Sequence, residues 1–162
     1  MAYADFEFYT DSYYGDKITA PDFPRLAERA TEYLDALTFE RLVDGLPTDE
    51  RAQTKVKKAV CAAAEMLYDI EIAEKVGRSA ASTASAAADG TSYGALSSRS
   101  AGSESESYAS MSQQAEGAKA WNAAYGAAGN PRTTARMVFQ AVRKYLTGVT
   151  DDNGVLLLYS GL

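Results

Sequence analysis

The sequence predicts an all-α fold, a small helical bundle with an extended N-terminal arm, a Ser/Ala/Gly-rich loop and a C-terminal tail. Three observations carry that prediction. Apolar residues recur at three-and-four spacing over three long stretches, and those stretches hold the only long apolar periodicities in the chain. Each opens on a helix-start signal of Pro, Thr, Asn or Asp. The 162 residues, 46% hydrophobic and 23% charged, suit a single domain with one core.

In chain order, residues 1–20 interleave Tyr3, Phe6, Phe8, Tyr9, Tyr13 and Tyr14 with Asp5, Glu7, Asp11 and Asp16, a pattern read as an extended aromatic arm. Residues 21–78 read as the helical core. Its first helix is expected over 21–37, with Pro21 and Asp22 in the opening turn and Phe23, Leu26, Ala27, Ala30, Leu34 and Leu37 on one face. The opposite face mixes Arg25, Glu28, Arg29 and Glu32, the composition of a solvated surface. A short helical turn should follow over 38–46, ending at Gly45 and Pro47.

The second helix is expected over 48–76, capped by Thr48 with Asp49 and Glu50 in its first turn. Val56, Val60, Ala63, Leu67 and Ile70 form its stripe, and Ala59, Cys61, Ala62 and Ala64 leave almost no polar face, so it is expected at the centre of the bundle. Cys61 then reads as a packed thiol. Residues 79–112 shift to Ser, Ala and Gly, too little apolar bulk for a core, and read as a flexible or extended loop. Within it, 104–112 alternates with the period of an extended edge.

Residues 113–148 should carry the C-terminal helices. A modest one over 115–127 has Trp121 and Tyr125 four apart, and a strong one over 131–147 opens at Asn130-Pro131 and buries Ala135, Val138, Phe139, Val142 and Leu146. The tail, 149–162, passes a turn at Asp151-Asp152-Asn153-Gly154 into the apolar run from Val155 to Tyr159.

Several classes of chemistry lose their means. The sequence has no His, which removes His-based triads, His-containing zinc sites and an imidazole base. A single Cys excludes an internal disulfide and a multi-Cys metal cage. No phosphate-binding Gly loop, dinucleotide fingerprint or nucleophile elbow occurs. The pairs Glu65 with Asp69 and Glu71 with Glu74 read as solvated structural carboxylates, and Asp151 to Asn153 resemble only half of a calcium loop. The expectation is therefore a non-enzyme with no catalytic residue, cofactor or metal.

Net charge is −6, a poor basis for holding nucleic acid through counterion release. No apolar stretch approaches a membrane span, and the first residues lack signal-peptide character, so a soluble chain of cytoplasmic origin is expected. Charge is unevenly placed: residues 1–50 carry 4 basic and 12 acidic side chains, whereas residues 131–162 carry 4 basic and 2 acidic. Such asymmetry suits head-to-tail contact between identical subunits.

Three stretches, taken together, resemble the head-tail connector (adaptor) proteins of tailed bacteriophages. Phe23-Pro-Arg-Leu-Ala-Glu-Arg-Ala-Thr-Glu-Tyr-Leu-Asp-Ala-Leu-Thr-Phe-Glu-Arg-Leu, after the aromatic Tyr13-Tyr14-Gly15, is similar to that family's opening helix. Gly102-Ser-Glu-Ser-Glu-Ser-Tyr-Ala-Ser resembles the polar stretch after its second helix, and Arg143-Lys-Tyr-Leu-Thr-Gly-Val with Leu157-Leu-Tyr-Ser-Gly-Leu its closing helix and tail. Two departures stand out, a longer and plainer Ser79 to Ala101 stretch and an inserted Asp151 to Gly154.

The resemblance implies a virion structural protein that forms a homo-oligomeric ring, a dodecamer in the family, on the portal protein. The ring would join the DNA-filled head to head-closure or tail proteins and let DNA pass its channel without specific binding. Location at the head-tail interface of the virion, after assembly in the host cytoplasm, follows from it. Leu156, Leu157, Leu158 and Tyr159 are the expected portal or partner docking residues; Arg132, Arg136, Arg143, Tyr13 and Tyr14 are the expected subunit contacts. The alternative is a cytosolic helical protein-binding or regulatory module.

Overall fold

The computed structural model describes residues 2–86, 95–100, 105–109 and 119–158, with side chains described for 2–78 and 123–158. It is mostly helical, a small all-α bundle. The elements are α1 (Phe6–Asp11), α2 (Phe23–Leu37), α3 (Glu50–Ala86), β1 (Ala95–Ser100), β2 (Ser105–Ala109), α4 (Lys119–Ala127) and α5 (Pro131–Leu146). Two compact units result: Met1–Tyr68 with Pro131–Leu162, and Asp69–Asn130.

The first unit holds one core. Phe23, Leu26, Ala27, Ala30 and Leu34 of α2, Val56, Ala59, Val60, Cys61, Ala63, Ala64 and Leu67 of α3, and Val138, Val142 and Leu146 of α5 are buried together. These are the stripes the periodicity predicts, except that Ala135 stands exposed and Leu37 and Phe139 are only half-buried. The alanines of α3 bring little bulk but allow close approach of neighbouring backbone, and the three long stripes supply the apolar area removed from water.

The helix ends show which polar groups hold them. Asp49 caps α3 in place of Thr48, its carboxylate accepting from the Ala52 N–H at 2.8 Å. Thr48 is drawn away because its N–H and hydroxyl both donate to Asp152 Oδ1, at 2.7 and 2.9 Å. The start of α2 lies at Phe23, with Pro24 in its first turn and the Asp22 N–H bonded to the Thr19 carbonyl at 3.0 Å. Pro21 thus precedes the helix. α5 begins at Pro131 and ends at Leu146 before Gly148, whose φ of +73° suits the glycine that terminates helices.

Residues 1–20 are not an extended arm. Asp5 caps α1 by accepting from the Phe8 N–H at 2.8 Å, and Tyr9 is fully buried. Its ring stacks on Phe23 with centroids 4.7 Å apart. Aromatic area of this size is worth more buried in the core than solvated, and the polar tip finds partners there. The expected helical turn over 38–46 is a set of turns with Phe39 and Glu40 at φ +56° and +61°, burying Leu42 but leaving Phe39 and Val43 exposed.

In the second unit, α3 runs ten residues beyond the expected end at 76, and α4 occupies Lys119–Ala127. Alanine and serine sustain the helix where no apolar stripe marks it. The expected loop over 79–112 therefore contains the end of α3 and an antiparallel hairpin in which Ala95 pairs with Ala109 and Ser100 with Ser105, with an irregularity between Leu96 and Ser98. Of the alternation over 104–112, residues 105–109 form β2. The remainder of 79–112 lies outside the described residues.

Candidate functional site

The tail does not project from α5. Gly154, at φ +78°, turns it back: the Asp151 N–H donates to the Val155 carbonyl and the Leu157 N–H to the Val149 carbonyl, both at 2.8 Å. Asp151 Oδ1 closes the turn by accepting from the N–H groups of Asn153 at 2.9 Å and Val155 at 2.8 Å. Past this bend Leu157 enters the core fully and Leu158 is buried after it, so the run does not alternate, and Leu156 is left 40% exposed. The expected docking set is thereby divided. Leu157 and Leu158 are core residues of their own chain, Leu156 remains at the surface, and Tyr159 lies outside the described residues.

Around Leu156 a surface forms that the sequence reading missed. The Arg41 guanidinium donates to the Leu156 carbonyl and sits 5.8 Å from the centroid of the Phe39 ring. Phe39 is 64% exposed and Val43 61%, and Val155, which precedes Leu156 in the tail turn, is exposed as well. Arg41 also borders a cleft of about 310 Å³ lined by Asp44, Asp151 and Asp152. The patch is therefore apolar at its centre and acidic at its rim. Its signal in the sequence was present but unreadable, because Phe39 and Val43 carry the same letters as core residues.

The expected subunit contacts also divide. Arg132, Arg136 and Arg143 all stand exposed on α5, which has no acidic residue. Tyr14 is 83% exposed and held at φ +61°. Tyr13 instead turns inward, donating from its hydroxyl to Glu65 Oε2 at 3.3 Å and stacking on Tyr9. Burial raises its pKa, and the negative charge of Glu65 adds to that.

Tyr9 is the hub beneath it. Its hydroxyl donates to Glu65 Oε1 at 3.0 Å and accepts from the backbone N–H groups of Lys17 at 3.1 Å and Ile18 at 3.2 Å. Burial pushes its pKa up to about 12, and Glu65 adds to the shift. Burial likewise pushes the Cys61 thiol up to about 12, which keeps it protonated and inert. Glu65, read as a solvated carboxylate, is a shared acceptor for two tyrosines. Among the described residues no three acidic or thiol side chains gather into a metal site, and no helix is long and apolar enough to cross a membrane.

Among the described residues, the fold and surface define a helical protein with an apolar patch around Phe39 and Leu156 and a basic face on α5. No family model, curated protein or solved structure matches the chain.

Proposed function

We propose that this chain is a virion structural protein, a head-tail connector (adaptor) that assembles as a ring on a phage portal and joins the DNA-filled head to head-closure or tail proteins. It acts without catalysis and lets DNA pass without specific binding. The observation that supports the reading best is the pairing of an exposed, acid-free basic face on α5 with an apolar, acid-rimmed patch around Arg41. Two different faces on one subunit are what a ring of identical copies requires. The resemblance of the opening helix, the Ser/Glu alternation and the closing helix to the connector family supplies the partner class.

The test is disruption of the coding sequence in the phage or prophage that carries it. DNA-filled heads without joined tails, restored by the chain supplied in trans, are expected; intact tailed particles in its absence overturn the proposal.

A further inference from the structure

We infer that the patch centred on Phe39 and Leu156 receives the arginine face of α5 from a second copy of this chain. The inference rests on the ring reading and adds the two faces that meet.

The patch has the chemistry an arginine-bearing helix fits. Phe39 offers a ring that stays 64% exposed with the chain's own Arg41 guanidinium 5.8 Å from its centroid, so ring surface is left for a second guanidinium to stack on. Glu40, next to it in the chain, and Asp44, which lines the cleft that Arg41 borders, are both exposed carboxylates of the kind that accept the paired N–H groups of an arginine. Val43 and Leu156 present apolar area that the aliphatic stems of arginines can cover. The backbone at Phe39 and Glu40 is held in the left-handed region, at φ +56° and +61°, which bulky side chains adopt only against strain. Strain of that kind collects at ligand clamps, and here it keeps an aromatic ring at the surface.

α5 supplies the complement. Arg136 and Arg143 are seven residues apart, two turns along one exposed face, with Lys144 beside Arg143. No acid on the helix neutralises them. The exposed face of α2 fits less well, because it would bring Glu28 and Glu32 against the acidic rim along with Arg25 and Arg29.

Patch and arginine face are different surfaces of the same chain, so each contact leaves one of each open and assembly propagates until it closes. A mixing experiment reads this directly. One variant loses the patch, Phe39→Asn with Asp44→Arg, Asn being chosen because it tolerates the left-handed backbone. The other loses the arginine face, Arg136→Glu with Arg143→Glu. All four side chains are outside the core, and helical circular dichroism checks that both variants fold.

By sedimentation, the wild-type chain should form species larger than a dimer as its concentration rises. Each variant alone should associate at least roughly tenfold more weakly. An equimolar mixture should stop at a heterodimer, since only one intact patch and one intact arginine face remain. A wild type that stays monomeric throughout, a variant that assembles alone, or a mixture that stays monomeric overturns the inference. Should the mixing rule hold while disruption of the gene leaves tailed particles intact, the connector reading fails and the contact stands. Should tail joining depend on the chain but not on these four side chains, the contact fails and the connector reading stands.

Discussion

The two end segments of the first unit are both tied into its core, by opposite means. The first, residues 2–18, is held chiefly by tyrosines with polar tips: the Tyr3 hydroxyl donates to Asp35 at 2.6 Å, and Tyr9 is enclosed by Phe6, Phe23 and Tyr13 while its hydroxyl joins Glu65 to the backbone of Lys17 and Ile18. The second, residues 149–158, inserts Leu157 and Leu158 and ties its rim with hydrogen bonds from Thr48 and Arg41. A polar hub fixes orientation through directional bonds, whereas inserted leucines supply mainly apolar burial. The first end should therefore fail by crowding or ionisation, and the second by loss of volume.

The largest effect is expected at the tail. Leu157→Ala empties a fully buried site and should cost about 2–5 kcal/mol, read as a lower urea midpoint. Leu156→Ala, one residue away but at the surface, should stay within about 0.5 kcal/mol. Equal effects for the two would break the division between core and surface leucines. For the same reason, deletion of residues 155–162 is expected to destabilise the bundle.

Crowding at the other end comes next. A Cβ at Gly15 would lie 2.0 Å from Tyr9 Cε2, and the ring cannot retreat because Phe23 stacks on it and its hydroxyl is bonded on both sides. Gly15→Ala should therefore cost about 1–3 kcal/mol. Gly154, whose added Cβ would meet nothing within 4 Å, is constrained by its positive φ alone. A Gly15→Ala chain as stable as the wild type would show that the Tyr9 hub is loose.

Ionisation distinguishes the two ends by pH. Tyr9 rises from 10.0 to about 12 and Cys61 from 9.0 to about 12, both chiefly through burial. The folded state then holds these protons when the unfolded state has lost them, so stability is fully present below about pH 9 and falls as pH rises toward 12. Urea midpoints should be level from pH 7 to about 8.5 and decline above it. Cys61 should resist a disulfide reagent at pH 8 in the folded chain and react once urea unfolds it. A stable midpoint through pH 11 would contradict the burial of both groups.

The elements most legible in the sequence were those in which local signals and tertiary burial agree. Asn130-Pro131 and the spacing of Val138, Val142 and Leu146 located α5 to within a residue, and the α2 face was legible from Leu26 to Leu34. The N-terminal segment was not, because Phe6, Phe8 and Tyr9 sit in a six-residue helix too short to show a period, and what holds Tyr9 is Glu65, 56 residues away. The end of α3 was missed because Ala and Ser favour or tolerate helix without marking a face. Of the candidate surfaces, the α5 arginines were legible as an unbalanced charge. Phe39 was not, since only backbone geometry distinguishes an aromatic residue held outward from one packed inward.

The smallest expected effect concerns the rim of the tail, where Thr48 and Asp152 meet. The Thr48 N–H and hydroxyl both donate to one carboxylate oxygen, and both residues are exposed, so water can replace either bond. Thr48→Val keeps the shape and removes only the hydroxyl, which should cost about 0.5–1.5 kcal/mol at most. Asp152→Ala removes both bonds and should cost somewhat more, while the cap at Asp49 keeps the start of α3 intact. Amide exchange at the tail should quicken in both variants with little change at Tyr9, because the Tyr9 bonds involve neither residue. Should Thr48→Val match Leu157→Ala in cost, the tail would be held by its polar rim, and the contrast between the two ends would fail.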